Sequence, residues 1–387
     1  MRCLRCFVKG ETGGIPCRLS SIGGISMDKL KIAHIGTGNR GANVYLPLIA
    51  KLKDDLELVA VCDMREDSVK AQGAKYNVAA YTDTAEMLEK EKPDICSIVI
   101  TPSNNHIPGL LCSEHGVSYC TETPIDTDLG WADEMIESAK QHETKIEVNE
   151  NYYRAPSERI KREMILAGVF GKVNVAYNEF RGHGYHGIGL IRSYVGFDNE
   201  PLRVFGVRKS FTVQEHVWRQ GQPTRDSEDW QQGVIEFADG AVGIFHFSSL
   251  SYGSPLRGFN GTKFYAERGM CFRDEAVILN DTADEQRKIT VARKTNDVDG
   301  FETLAALVAD TTPEVVWENP LQNYPLSDGE ITVASELMSI ANAVRNDTEP
   351  EYGAYNGRKD REIDVAMAKS WANDGEPVTF PFEYERR

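Results

Sequence analysis

Apolar residues along the chain follow two different rhythms. From Leu30 to Asn149 they form short unbroken runs, KIAHI, LELVAVC, ICSIVI, VSYCT and KIEV, separated by stretches with apolar residues at helical spacing. Unbroken apolar strands alternating with helices predict a parallel sheet covered on both faces. Helices are expected over 41–52, 66–76, around 107–115 and over 131–142. After a helix at 156–167 the rhythm changes to a period of two. In KVNVAYNEF, Val173, Val175 and Tyr177 fall on one face, and Asn174, Ala176 and Asn178 on the other. GVIEFADGAVGIFHF predicts a hairpin turning at Asp239-Gly240, and GTKFYAERGMCFRDEAVIL has the same form. Such strands imply a mostly antiparallel sheet with one open face, suited to contact with further copies of the chain. Ser327 with Glu330 fits a capping box opening a helix to about Val344, and a second helix is expected over 358–371.

The chain has 387 residues and 41% hydrophobic content, enough for a large core divided into two domains. A net charge of −16 argues against nucleic acid or an anionic membrane surface as partner. No apolar run approaches the roughly 20 residues of a spanning helix. Residues 1–26 carry four basic residues, one acid and three of the eight cysteines, with no periodic apolar face. They are expected to form a disordered extension, with Met27 the expected true start. Cys3 and Cys6 form a lone C-x-x-C, too little for zinc. The remaining cysteines sit in apolar contexts, as reduced core residues of a cytoplasmic protein would.

Chemistry enters at Gly36-Thr37-Gly38-Asn39-Arg40-Gly41, a G-x-G-x-x-G between the first strand and the first helix. Glycines there give a tight turn and let the backbone approach a pyrophosphate, which the helix N-terminus favours. Asp63, 22 residues beyond Gly41 at the end of the second strand, is placed to hold ribose hydroxyls. Its charge favours NAD over NADP, although Arg65 is a possible partner for a 2′-phosphate. The expected fold is therefore α/β: a Rossmann doubly wound parallel sheet over 27–150, then an α+β domain over 151–387 with an open, mostly antiparallel sheet and C-terminal helices.

These residues, with ITPSNNH (100–106), TETP (121–124), ENYYRAP (150–156), GVFGKV and the closing GEPVTFPF, resemble the glucose–fructose oxidoreductase and inositol dehydrogenase (Gfo/Idh/MocA) family over nearly the full length from Lys29. The resemblance implies that Thr101, Pro102 and His106 line the cofactor. It also implies that Asn151 lies near the nicotinamide and Glu122 beside its ribose. The family reads Glu-Lys-Pro where this chain has Glu122-Thr123-Pro124, so the lysine that contacts the reacting hydroxyl is missing. Threonine is no acid or base near neutral pH, and such help is typically worth about 10²–10⁴ in rate.

His186 aligns with the family's catalytic histidine, and Gly182 stands where its usual aspartate companion would be. His186 is the expected base, with Tyr153 and Tyr152 as further proton donors. Thr123, Arg154, Arg181, His183 and Tyr185 are the expected substrate contacts. His183 and His186 form an H-x-x-H without an evident third ligand, so no metal is expected. Trp218 and Trp230 fit either core packing or stacking on a sugar ring. Three readings stay open. The first is an NAD(P)-dependent oxidoreductase acting on a secondary alcohol of a sugar, cyclitol or glycoside, assembled as a homodimer or homotetramer. The second is an NAD-retaining glycosidase or lyase that works by transient oxidation and elimination, a branch of the family that also lacks the lysine. The third is a nucleotide-binding sensor or scaffold without turnover.

Overall fold

A computed structural model describes residues 29–218, 222–382 and 384. The expected N-terminal extension, the start at Met27 and the Cys3/Cys6 pair lie outside the described residues. The first sheet is built from β1 (Leu30–Ile35), β2 (Leu56–Cys62), β3 (Ala79–Tyr81), β4 (Ile95–Ile98), β5 (Ser118–Glu122) and β6 (Ile146–Asn149). All pairs are parallel, in the order β3-β2-β1-β4-β5-β6. Between the strands run α1 (Leu46–Lys51, preceded by a π-helical turn at Gly41–Tyr45), α2 (Glu66–Tyr76), α3 (Thr84–Glu91), α4 (His106–Glu114) and α5 (Leu129–Gln141). Strand order reverses between β1 and β4, which opens a crevice at their C-terminal ends, the usual ligand position in such sheets.

The second unit begins with α6 (Pro156–Leu166), β7 (Val173–Glu179), α7 (Gly184–Val195), β8 (Pro201–His216), β9 (Arg225–Phe237), β10 (Val242–Ser248) and α8 (Ser249–Gly253). It continues with β11 (Gly261–Ala266), β12 (Gly269–Phe272), β13 (Glu275–Leu279) and β14 (Gln286–Ile289). The chain then forms β15 (Val291–Val298), β16 (Phe301–Ala309) and β17 (Val315–Glu318), followed by α9 (Asp328–Asn346), α10 (Ala354–Ala372) and β18 (Val378–Thr379). Nine strands form one sheet, β14-β13-β12-β11-β7-β10-β9-β8-β18, antiparallel apart from β10 beside β7. The hairpin at Asp239-Gly240 joins β9 to β10, and the 261–279 stretch makes three strands rather than two. A separate antiparallel sheet, β15-β16-β17, has no counterpart in the expectation. β16 is an apolar run rich in Ala and Leu that gives no period-two signal, and β15 is exposed along most of its length.

Helix α7 covers one face of the nine-stranded sheet, against Ala176, Asn178 and Phe245. The other face stays open. Across it the register lines up Phe205, Val234, Ile244, Tyr177, Lys263 and Phe272 in one row. Helix α9 returns to the first unit, its start closed by the Ser327/Glu330 capping box. It is tied there by Lys51 to Glu330 at 2.5 Å, Arg345 to Asp55 at 2.8 Å and Tyr45 to Glu336 at 3.0 Å. The two units therefore share a packed boundary. Cys62, Cys96, Cys112, Cys120 and Cys271 are buried free thiols. Among the described residues no helix is long and apolar enough to cross a membrane.

Candidate active site

The first β–α turn is shaped by what its glycines exclude. Gly36 has φ +104°, and a Cβ on it would lie 2.1 Å from the Val99 carbonyl oxygen. A Cβ on Gly41 would lie 1.9 Å from the Gly36 carbonyl oxygen and 2.8 Å from His34 Nε2. His34, fully buried, braces the turn through Nε2, 3.0 Å from the Gly36 carbonyl. Burial lowers its pKa to about 4, so the ring is neutral and Nε2–H donates. A polar side chain inside an apolar strand carries no pattern, so this histidine is not legible in the sequence.

Beside the turn a cleft of about 640 Å³ is lined by Gly36, Gly38, Asn39, Arg40, Asp63, Arg65, Thr101, Pro102, Glu122 and Thr123 among others. Thr37 and Gly41 stand behind its wall. Thr37 donates to Asp63 Oδ2 from its amide at 2.7 Å and its hydroxyl at 2.9 Å. Arg65 holds Asp63 from the outside, at 2.9 and 2.8 Å. Burial alone would raise the Asp63 carboxyl, but the hydrogen bonds from Arg65 and Thr37 outweigh it and hold the group well below the usual range. The glycine cradle, the free helix N-terminus and an ionised strand-end aspartate fit a dinucleotide in this crevice.

His106 departs from expectation. Its Nδ1 lies 2.9 Å from Asp126 Oδ2 and its ring stacks on Trp131 at 4.1 Å, so it does not line the cleft. One step along the helix turns a side chain by about 100°, and Ile107 and Pro108 line the wall instead.

A second cleft, about 790 Å³, adjoins the first, and Arg40, Glu122 and Thr123 line both. Glu122 therefore sits at the mouth of β5 because Arg40 meets it there in an ion pair. Asn105 fixes the turn beyond β5 by donating to the carbonyls of Glu122 at 3.0 Å and Pro124 at 3.1 Å. The second cleft is also lined by Asn151, Tyr152, Arg181, Tyr185, His186, Tyr252, Arg257 and Asn260, with Asp328, Gly329 and Thr332 from the start of α9.

His186 has a carboxylate partner after all, but not at position 182. Its Nδ1 lies 2.6 Å from Glu150 Oε2, and the other Glu150 oxygen accepts from the Tyr152 amide at 3.0 Å. A carboxylate can only accept here, so Nδ1 carries the hydrogen and Nε2 is left for proton exchange. A side chain at Gly182 has no room, since its Cβ would lie 2.7 Å from the Gly187 amide nitrogen. Glu150, just past β6, supplies the charge from the other domain. The only sequence signal for it was its place beside Asn151.

The stretch 152–154 overturns two expectations. It forms a single 3₁₀ turn, in which successive side chains point about 120° apart. Tyr152 enters the cleft with its ring 4.6 Å from that of His186, and burial pushes its hydroxyl up to about 12. Tyr153 is fully buried between Phe197 and Tyr352, so it is a core residue rather than a proton donor. Arg154 is also fully buried. It bonds Glu147 at 2.5 Å, Glu351 at 2.9 Å and the Glu150 carbonyl at 3.2 Å, so it holds the domain boundary and does not reach substrate.

His183 does not line the cleft. It packs against the rings of Tyr185, His186, Phe247 and Tyr252. Tyr185 donates to the Thr123 carbonyl at 3.4 Å. Trp218 lies under Arg225 at 4.0 Å, Trp230 lies 6.2 Å from His246, and neither lines the cleft. Among the described residues no group of three or more His, Cys, Asp or Glu is placed to hold a metal ion.

Fold and site together define a dinucleotide-binding domain whose crevice opens onto a histidine–carboxylate pair carried by a second domain. Residues 30–150 match the family model described as "Oxidoreductase family, NAD-binding Rossmann fold" (GFO_IDH_MocA). Among curated proteins the chain is 31% identical to D-glucoside 3-dehydrogenase of Escherichia coli over 148 residues, 38% of this chain and 42% of that protein. It is 25% identical to myo-inositol 2-dehydrogenase of Thermotoga maritima over 270 residues, 65% of this chain and 78% of that protein. The first of these matches thus spans under half of its relative. Among solved structures, an Agrobacterium radiobacter oxidoreductase in complex with NAD+, L-tartaric acid and magnesium superposes with TM-score 0.68 at 16% identity, covering 91% of this chain and 98% of that one. A levoglucosan dehydrogenase in complex with NADH and levoglucosan gives 0.67 at 15% identity, covering 92% and 100%. At such identities these two likenesses concern the fold.

Proposed function

We propose that the chain is an NAD-dependent dehydrogenase that acts on a secondary alcohol of a sugar, cyclitol or glycoside. The observation that carries this is the His186–Glu150 pair in the cleft that shares Arg40, Glu122 and Thr123 with the dinucleotide crevice. When bound, NAD supplies the acceptor for a hydride. His186 takes the hydroxyl proton at Nε2, and the Glu150 charge favours the imidazolium that results. Arg40 cannot exchange a proton, but its fixed charge favours negative charge developing on the substrate oxygen, a task the missing lysine would otherwise share. Thr123 offers a hydroxyl at the same junction. Tyr152 and Tyr185 flank the base. The glucoside and inositol substrates in the relatives' names support this class of substrate.

The test incubates the purified chain with NAD and a panel of sugars, cyclitols and aryl glycosides, following NADH and released aglycone. NADH formed in proportion to substrate supports the proposal. Aglycone release without net NADH favours the cleaving reading, and NAD binding without turnover favours a sensor. His186→Ala should abolish turnover and leave NAD affinity nearly intact; unchanged turnover removes His186 from the mechanism. The apolar row on the open sheet face, with Phe272 44% exposed, supports assembly into a homodimer or homotetramer. Light scattering coupled to gel filtration checks this, and a monomer at working concentration refutes it.

A further inference from the structure

We infer that the substrate carries an anionic group, a carboxylate or a phosphate, bound by Arg181 and Arg257 at the mouth of the second cleft. The inference rests on the dehydrogenase reading of the same site and adds the chemical class of what enters it.

This cleft is lined by the charged side chains Arg40, Glu122, Arg181, Arg257 and Asp328 and by His186. Glu122 is answered by Arg40. Asp328 is answered by Arg293, which bonds both its oxygens at 2.8 and 2.7 Å. His186 is answered by Glu150. Arg181 and Arg257 are left, and among the described residues neither has a carboxylate within 4.0 Å. A chain with 59 acidic and 43 basic residues has acids to spare, so two uncompensated guanidiniums in one cleft run against its overall balance.

Both are exposed, and each lies over an aromatic ring. Arg181 lies over the Tyr152 ring at 5.8 Å, and Arg257 over the Tyr252 ring at 5.1 Å. Stacking restricts a guanidinium while leaving its in-plane N–H groups directed outward. Asn260 joins them: its side-chain oxygen lies 3.5 Å from Arg181 Nη1, and its amide donates to the Arg257 carbonyl. The Tyr152 ring in turn lies 4.6 Å from that of His186, tilted by 35°, which puts the pair at the base's side of the cleft. Two guanidiniums lining one cleft are suited to the planar oxygens of a carboxylate or to a phosphate. A neutral sugar hydroxyl would leave both charges without a counter-ion. A cleft mouth lined by one uncompensated sign also draws in ligands of the other.

The test titrates the full chain, first with NADH and then, once saturated, with glucuronate, glucose 6-phosphate and glucose by calorimetry. Glucuronate or glucose 6-phosphate should bind at least tenfold more tightly than glucose and should lose that margin in high salt. Arg181→Gln and Arg257→Gln should each lower the anion-to-glucose affinity ratio about 10- to 100-fold, as expected for a lost charge-assisted hydrogen bond. Preference for one anion over the other tells carboxylate from phosphate. No saturable binding of either anion, or equal binding of glucose, overturns the inference. Failure to bind NADH in the first titration overturns the dehydrogenase reading itself, so the two failures are distinct.

Discussion

Replacing Glu336 by glutamine should make the protein less sensitive to rising pH. Glu336 lies on α9 under the Arg40–Glu122 pair and is fully buried. The Tyr45 hydroxyl donates to its Oε2 at 3.0 Å, Oε1 has no protein partner, and no cation lies within ion-pair reach among the described residues. Burial, then the neighbouring Glu122 charge, pushes its carboxyl well above the ordinary range, against the opposing pull of Arg154 and Arg40. The folded state therefore keeps a proton that the unfolded chain, with a carboxyl near pKa 4.3, releases. Stability from this group is fully present below about pH 4 and is lost as pH rises towards the folded pKa, at about 1.4 kcal/mol per pH unit. As pH rises from 5 towards that raised folded value, the wild-type protein should lose stability on this account. Glu336→Gln has the neutral shape at every pH and escapes that loss. Thermal unfolding of both proteins at pH 5 and pH 7 reads the effect: the Tm of the variant should gain on the wild type at the higher pH. A Tm difference equal at the two pH values refutes the assignment of a buried neutral carboxyl.

Glu150→Gln leaves one oxygen to serve two donors, His186 Nδ1–H and the Tyr152 amide, so kcat should fall about 10²–10⁴-fold while the Kd for NAD stays the same. Steady-state kinetics with NADH titration checks this, and undiminished kcat contradicts it. Gly41→Ala places a methyl 1.9 Å from the Gly36 carbonyl, an overpacking worth about 1–3 kcal/mol. NAD affinity should drop about tenfold or more and Tm should fall with it. Asp63→Ala removes the charge that repels a 2′-phosphate and releases Arg65 to meet one, so the NADPH-to-NADH affinity ratio should rise about 10- to 100-fold. Cofactor fluorescence titrations give that ratio, and no change in it shows that other groups choose the cofactor.

The alternation of apolar runs and helices, the glycine turn and the aspartate ending β2 were all legible from local pattern. Each is a short-range requirement: a strand buried on both faces must be apolar throughout, and a tight turn under a phosphate must be glycine. Short or unpatterned elements were not legible. β3 has only three residues, and β16 is apolar without alternation. Within the site, adjacency in sequence misled. Tyr152, Tyr153 and Arg154 look equivalent on paper, yet one 3₁₀ turn sends the first into the cleft and buries the other two.

The sequence by itself determined that a dinucleotide crevice would stand at the first β–α turn and that an open sheet would follow it. It also placed a histidine in the cleft and showed that the expected lysine and aspartate were absent. Only the tertiary structure decided what stands in for them. Arg40 reaches Glu122 across 82 positions, and Glu150 reaches His186 across 36. The first pair meets because β1 and β5 lie in one sheet, the second because two domains pack together, and neither follows from any spacing along the chain.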